Sequence, residues 1–287
     1  MPSTVLVVTS LEDVTADWVI EALNEREVPV VRVDPADIGA GFSFAARIDA
    51  DAPVWSGWLR TGSREVEWEE VAAVYYRRPT PYAVRFGHLP SQQRDFATAE
   101  ARHGLGGVLN HLPGVLYVND PAAVARADFK PSQLMRFVEL GLTIPPTLVT
   151  NAVEDARKFA AEHDSVIYKS FRGLPPGEDG HTGAIWAQRV DPGAFDDSLT
   201  VTAHLFQAEV PKAIAVALHD YLASFGLVFG CFDFALTGDS RMPESWTALE
   251  CNPNGQWGWL PDADAITEAF ADILSRKESD HGHARRP

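Results

Sequence analysis

Cysteine is scarce in this chain. Cys231 and Cys251 are its two thiols in 287 residues, too few for a disulfide framework. No histidine or cysteine partners stand at metal spacing beside them, which argues against a zinc site and leaves small buried apolar residues as the plainer reading. Basic residues are outnumbered, 24 Lys and Arg against 40 Asp and Glu, for a net charge of −16. Nucleic acid and anionic membrane both need basic surface, so neither is expected as a partner. No apolar run approaches the length that spans a bilayer. The start, Met1-Pro2-Ser3-Thr4 and then Val5 to Val8, lacks the basic region and cleavage pattern of a signal peptide, so a cytoplasmic enzyme is expected. Glycine is missing from Ser10-Leu11-Glu12-Asp13-Val14, the loop after the first apolar run. Without G-x-G-x-x-G, a dinucleotide cofactor is not expected there, and Asp34 reads as a turn-capping aspartate. Internal repeats and low-complexity segments are also missing.

What remains is an ordinary globular composition, 46% hydrophobic and 22% charged, in a chain long enough for two domains. Val5–Thr9 reads as a strand. A helix carrying Trp18, Val19, Ala22 and Leu23 follows, capped by Asp13 or Thr15, and Val28–Val33 reads as a second strand. This β-α-β start predicts a parallel, doubly wound layer. Further strands are expected at 42–48, 54–59, 73–76 and 116–119, with a helix over 91–112. A second unit is expected from Asn119-Asp120-Pro121, with helices at 122–127, 130–140, 151–162, 212–225 and 263–274. Its strands are expected at 147–149, 166–170, 184–190, 204–210, 228–236 and 246–252. The charged tail from Arg276 is expected to be disordered.

Three groups of residues can carry chemistry. In Leu249-Glu250-Cys251-Asn252-Pro253-Asn254-Gly255-Gln256-Trp257, a carboxylate and an amide stand two apart, on one face of a strand. Such oxygen donors suit Mg2+, which usually also holds substrate phosphates. Asp233 lies in the apolar strand Gly230–Leu236, where Phe and Leu neighbours are expected to exclude solvent. A hairpin through Gly238–Ser245 would bring Asp233, Glu250 and Asn252 together; two acids facing solvent is the alternative. Lys169 ends a strand before a glycine-rich loop and is placed to meet phosphate, with a solvated lysine equally consistent. Lys130 opens a helix whose Pro131 fits the first turn. Tyr75-Tyr76-Arg77-Arg78-Pro79 puts two arginines at a strand's C-terminal end, where ligands of α/β layers bind; an interdomain ion pair is the alternative.

In this order the segments Tyr75–Pro79, Val118–Pro121, Lys130–Leu134, Gly141–Asn151, Val166–Lys169, Leu205–Gln207, Gly226–Asp233 and Glu250–Trp257 resemble the ATP-grasp ribosomal peptide maturases. These are the graspetide ligases of microviridin and marinostatin type. The resemblance implies an α/β chain with α+β sandwich elements, a pre-ATP-grasp domain over 1–118 and a two-subdomain ATP-grasp domain over 119–275. It implies ATP and Mg2+, with Lys130 and Lys169 on the phosphates. Gln207, Ala208, Glu209 and Val210 would form the adenine hinge, and Asp233, Glu250 and Asn252 would hold the metal. Arg77, Arg78 and Lys169 are the catalytic candidates. The partner implied is a ribosomal precursor peptide, a leader plus a core with Thr, Ser or Lys and Asp or Glu, and a homodimer is left open. The activity implied is phosphorylation of an Asp or Glu side chain, then attack by a hydroxyl or amine of the same peptide to form an ω-ester or ω-amide. Another ATP-grasp carboxylate–amine ligase, or a peptide- or nucleotide-binding pseudo-ligase, is the alternative. The family's Asp-x-Arg strand has no counterpart between Lys212 and Phe229, so the domain is expected to be shortened after about residue 212.

Overall fold

The structure is a computed structural model that describes residues 3–112, 114–163, 165–171, 188–208, 218–236, 245–260 and 262–275. The first elements are β1 (Thr4–Val8), α1 (Val14–Glu25), β2 (Val30–Val33), β3 (Phe42–Asp49), β4 (Ala52–Thr61), β5 (Glu65–Glu67) and β6 (Val71–Tyr76). They are followed by α2 (Tyr82–Arg85), α3 (Ser91–Leu109), β7 (Leu116–Val118), α4 (Pro121–Ala127), α5 (Lys130–Glu139), β8 (Thr147–Thr150), α6 (Val153–Ala161) and β9 (Val166–Lys169). Last come β10 (Gln188–Arg189), β11 (His204–Ala208), α7 (Leu218–Phe225), β12 (Cys231–Leu236), β13 (Trp246–Asn252) and α8 (Ala263–Leu274). Among the described residues the helix expected from 212 runs from Leu218, and the strand expected from 228 starts at Cys231. Residues 209–217, most of the glycine-rich loop after Lys169 and the tail from Arg276 lie outside the described residues.

The chain forms two compact units. One comprises Met1–Arg126, Phe225–Cys231 and the chain from Pro253 on; the other comprises Ala127–Ser224 and Phe232–Asn252. The backbone thus passes between them at four places.

The first unit explains why. Its sheet is parallel, in the order β2-β1-β6-β7. Every residue of β1 is buried, as befits a strand covered on both faces. Leu6 and Val8 face a core closed by Leu105 and Leu109 of α3 and by Trp68. Val5 and Val7 face the other core, made with Val19 and Leu23 of α1. That second core is completed from the far end of the sequence by Trp257 and by Phe270 and Leu274 of α8. Trp257 has no exposed surface and stacks on Phe270 at 5.4 Å. A short antiparallel sheet, β3-β4-β5, belongs to the same unit.

The second unit carries an antiparallel sheet in the order β10-β9-β11-β8 and a two-stranded sheet of β12 and β13. Leu148, Tyr168 and Phe206 turn one face of the first sheet onto Ala156 and Ala160 of α6. The opposite face is left for the residues described next.

Candidate functional site

Antiparallel partners share a sheet face, and the register pairs Leu205 with Lys169 and Gln207 with both Ile167 and Thr147. Lys169 and Gln207 therefore lie on one face, away from α6. Lys169 is partly buried, and its pKa is lowered, first by burial and then by the positive charge of Lys130, against the pull of Glu250 and Asp233. Asp233 shifts the other way: loss of solvent raises its pKa, the charge of Glu250 adds to this, and Lys169 and Lys130 oppose it. Lys130 Nζ lies 2.7 Å from Glu250 Oε2. Two lysines from α5 and β9 and two carboxylates from β12 and β13 thus form one electrostatic cluster within the second unit.

Asp233 corrects one expectation. It is exposed, not sealed off by its neighbours. Alternation along β12 turns Phe232 and Phe234 to the opposite face, where they pack on Tyr221 at 5.2 Å and Trp246 at 5.9 Å. Glu250 and Asn252 are half-buried and share a face of β13, while Cys251 between them is buried on the other.

Helix α5 fastens this strand twice. Lys130 in its first turn meets Glu250. Gln133, one turn on and 3% exposed, accepts from the Cys251 N–H at 3.2 Å and donates to the Cys251 carbonyl at 2.8 Å. The segment before β8 also touches β13, with the Ala248 N–H donating to the Thr143 carbonyl at 2.8 Å. An apolar hollow of about 390 Å³ lies between α5 and β8, walled by Leu134, Met135, Val138, Ile144 and Val149, with Thr147 at its edge.

At the expected hinge, Gln207 is 1% exposed and donates to Thr147 Oγ1 at 3.1 Å. Its Oε1 is buried with no hydrogen-bond partner among the described residues. Such an orphaned acceptor costs about 1–3 kcal/mol unless something donates to it. Ala208 ends β11; Glu209 and Val210 lie outside the described residues.

The two arginines stand in the first unit. Arg77 belongs to the first unit and is 1% exposed. Its guanidinium donates to Asp13 Oδ2 at 2.8 Å, the Gly255 carbonyl at 3.0 Å and Gln256 Oε1 at 2.7 Å. Thr9 donates to the same Asp13 oxygen at 2.8 Å, and Thr15 to the same Gln256 oxygen at 2.9 Å. A charge this deep persists because it is paired, so Arg77 is a structural clasp on the Gly255-Gln256 turn and does not offer a fork to a ligand. Its ion pair lies inside the first unit. Arg78 is exposed. Nearby, Asn119 donates to the carbonyls of Phe229 and Pro253 at 3.0 and 2.7 Å and accepts from the N–H groups of Val228 and Phe229 at 2.8 and 3.0 Å.

Residues 4–125 match the family model of the MvdD pre-ATP-grasp domain. Among solved structures, the macrocyclase MdnC of Microcystis aeruginosa MRC, bound with precursor peptide MdnA, is 26% identical with a TM-score of 0.82, covering 94% of this chain and 99% of that one. The macrocyclase MdnB of the same organism is 25% identical with a TM-score of 0.76, covering 96% and 100%. Residues 4–125 thus carry the MvdD type of pre-ATP-grasp domain, and the chain as a whole is similar to the ATP-grasp macrocyclases of ribosomal peptides. A Chryseobacterium gregarium RiPP-associated ATP-grasp ligase, in complex with ADP and a leader and core peptide, shares the fold at 20% identity and a TM-score of 0.80, covering 95% and 96%. No match was found among curated proteins.

Sequence reasoning missed Gln133, which holds strand β13, and Asn119, which ties Val228, Phe229 and Pro253 together within the first unit. A glutamine three residues after Lys130 and an asparagine before Asp120-Pro121 gave no chemical hint, because both act on backbone groups that only the fold brings near. No helix among the described residues is long and apolar enough to cross a membrane.

Proposed function

We propose that this chain is an ATP-grasp ribosomal peptide maturase, an ATP-dependent peptide ligase that activates Asp or Glu side chains of a ribosomal precursor peptide and closes ω-ester or ω-amide crosslinks within it. The observation that carries the reading is the cluster of Lys130, Lys169, Asp233 and Glu250, with Asn252 on the Glu250 face and Gln207 on the Lys169 face of its sheet. The donor set fits Mg2+–ATP: two carboxylates and an amide suit a hard cation, two lysines suit phosphates, and the unpartnered oxygen of Gln207 suits the exocyclic amine of adenine. Asp233, Glu250 and Asn252 would hold Mg2+, which would supply neutralisation of phosphate charge.

In this reading Asp233, Glu250 and Asn252 hold the metal, and Lys130 leaves Glu250 for a phosphate oxygen. Lys169 stabilises charge on the transferring phosphoryl group. The γ-phosphoryl group passes to a carboxylate of the peptide, and a hydroxyl or amine of the same peptide then displaces phosphate. The protein contributes position and electrostatics, with no covalent nucleophile of its own. Arg78 is the exposed arginine open to an acidic peptide. The complexes of MdnC with MdnA and of the C. gregarium ligase with ADP and peptide support the partner and the nucleotide by analogy.

The test is incubation of the full chain with ATP, Mg2+ and a precursor peptide encoded beside it, followed by mass spectrometry. Loss of one water per crosslink, dependent on ATP, is expected. Tight peptide binding with no dehydration would favour a pseudo-ligase, a reading to which the lack of an Asp-x-Arg sequence between Lys212 and Phe229 lends weight.

A further inference from the structure

We infer that an exposed apolar patch beside Arg78 docks the precursor peptide, and that it takes a large apolar residue standing next to an Asp or Glu of the peptide's core. This rests on the ligase reading above, to which it adds a sequence requirement on the substrate.

The patch lies within the first unit. Leu11 and Val14 stand at the start of α1, 62% and 58% exposed. Trp259 and Leu260 follow Gly258 and are 73% and 42% exposed. Gly258 joins the two pairs, because it lies against Thr15 and Trp18 of α1. The turn before it is firmly held: Gln256 Oε1 accepts from both Thr15 and Arg77. Four large apolar side chains on one fixed frame exceed the scattered single residues that any surface carries. Tryptophan and arginine are also the residues on which binding energy concentrates at interfaces.

Charge selects the occupant. The Ser10 N–H donates to the Arg78 carbonyl at 3.1 Å, which sets Arg78 beside Leu11. The Arg77 guanidinium is filled by Asp13 and the Gly255–Gln256 turn. That of Arg78 has no hydrogen bond or ion pair among the described residues. In a chain of net charge −16, such a cation draws a carboxylate, and the apolar surface beside it takes the carboxylate's apolar neighbour. Chain length selects the part of the peptide. Trp259 follows Asn252 by seven residues, so the backbone keeps their Cα atoms no more than about 25 Å apart. An extended peptide of about eight residues spans that distance, so the docked pair belongs to the core, near the carboxylate to be activated.

The experiment measures binding of the precursor peptide encoded beside this chain. The full chain is titrated, with ADP and Mg2+, against peptide labelled at its N-terminus, and fluorescence anisotropy is read. Trp259→Ser and Arg78→Gln are each expected to weaken binding about tenfold. Replacing by Ser the apolar residue beside each core Asp or Glu should weaken wild-type binding as much. Against that altered peptide, Trp259→Ser should add less than about twofold, because the two changes remove one contact. Leu11→Ser serves as a second variant where Trp259→Ser disturbs folding. Wild-type affinity kept in both Trp259→Ser and Leu11→Ser overturns the inference, as do protein and peptide changes whose losses simply multiply. A dimer that dissociates in Trp259→Ser with peptide affinity intact, seen by sedimentation, also overturns it, since a second copy then covers the patch. In each of these cases ATP-dependent dehydration by the wild type leaves the ligase reading standing. A wild type that binds neither ADP nor peptide removes both.

Discussion

A single amide, that of Gln133, holds both backbone groups of Cys251, accepting from its N–H at 3.2 Å and donating to its carbonyl at 2.8 Å. Cys251 separates Glu250 from Asn252, so the helix that offers Lys130 also sets the height of the strand that carries the proposed metal donors. Gln133→Leu would remove both hydrogen bonds, at about 0.5–1.5 kcal/mol each. Its expected effect is a lower unfolding midpoint together with about tenfold weaker Mg2+-dependent ADP binding. Unchanged affinity in a destabilised variant would assign Gln133 to the fold alone.

Glu250→Gln separates stability from function. The Lys130–Glu250 pair is partly open, with side chains 18% and 28% exposed, so its loss should change the stability of the ligand-free protein by no more than about 1 kcal/mol. Crosslinking should be abolished. Full turnover by this variant, read by mass spectrometry, would refute the metal assignment.

The charge cluster also sets a pH dependence. Asp233 has a folded pKa above its ordinary 3.8, so in the window just above 3.8 the folded chain carries more protons than the unfolded one. Its contribution to stability therefore falls as pH rises through that window. Lys169 has a folded pKa below its ordinary 10.5, so the unfolded chain carries more protons just below 10.5, and its contribution rises with pH there. Asp233→Asn is expected to abolish this decline of the unfolding midpoint with rising pH while removing Mg2+ binding. A pH series of thermal melts, wild type against variant, checks the first point, and Mg2+ titration checks the second.

Arg77 and Arg78 are neighbours in sequence with opposite fates. Arg77→Ala strands a buried Asp13 and should cost about 3–5 kcal/mol in denaturant unfolding. Arg78→Ala, at an exposed position, should stay within about 0.5 kcal/mol. Equal costs would contradict the clasp described for Arg77.

Much of this was legible beforehand. The β-α-β start shows in the all-apolar Val5–Val8 run and the helical spacing of Trp18, Val19, Ala22 and Leu23. Strand β13 and helix α8 stand at the residues expected for them. Lys130, Lys169, Asp233 and Glu250 announce themselves because charge is conspicuous in apolar surroundings. What stayed hidden depends on partners distant in sequence. Whether Arg77 meets a ligand or Asp13 is decided by a turn 178 residues away, at Gly255. Whether Asp233 is sealed is decided by which face Phe232 and Phe234 take.

Gly258 marks how tightly the C-terminal segment is seated. A Cβ there would lie 2.7 Å from the Trp18 ring and 3.3 Å from Thr15 Oγ1. Trp18 in turn packs on Trp257, ring centroids 6.4 Å apart. Gly258→Ala is expected to destabilise by about 1–3 kcal/mol through forced movement of that ring. Chemical denaturation, together with a change in tryptophan fluorescence, measures it.

The burial of Trp257 and Phe270 against β1 and α1 has a consequence for synthesis. When the ribosome has released the first 126 residues, the sheet β2-β1-β6-β7 can assemble, but one of its faces lacks the side chains that cover it. Those residues emerge only after the whole second unit has been made, on the order of ten seconds later at usual elongation rates. Until then α1 and its strands expose Val19, Leu23 and Tyr75 to whatever the nascent chain meets. The unit whose strands come earlier is thus the later to be finished, and a chain cut at residue 126 lacks part of that unit's core.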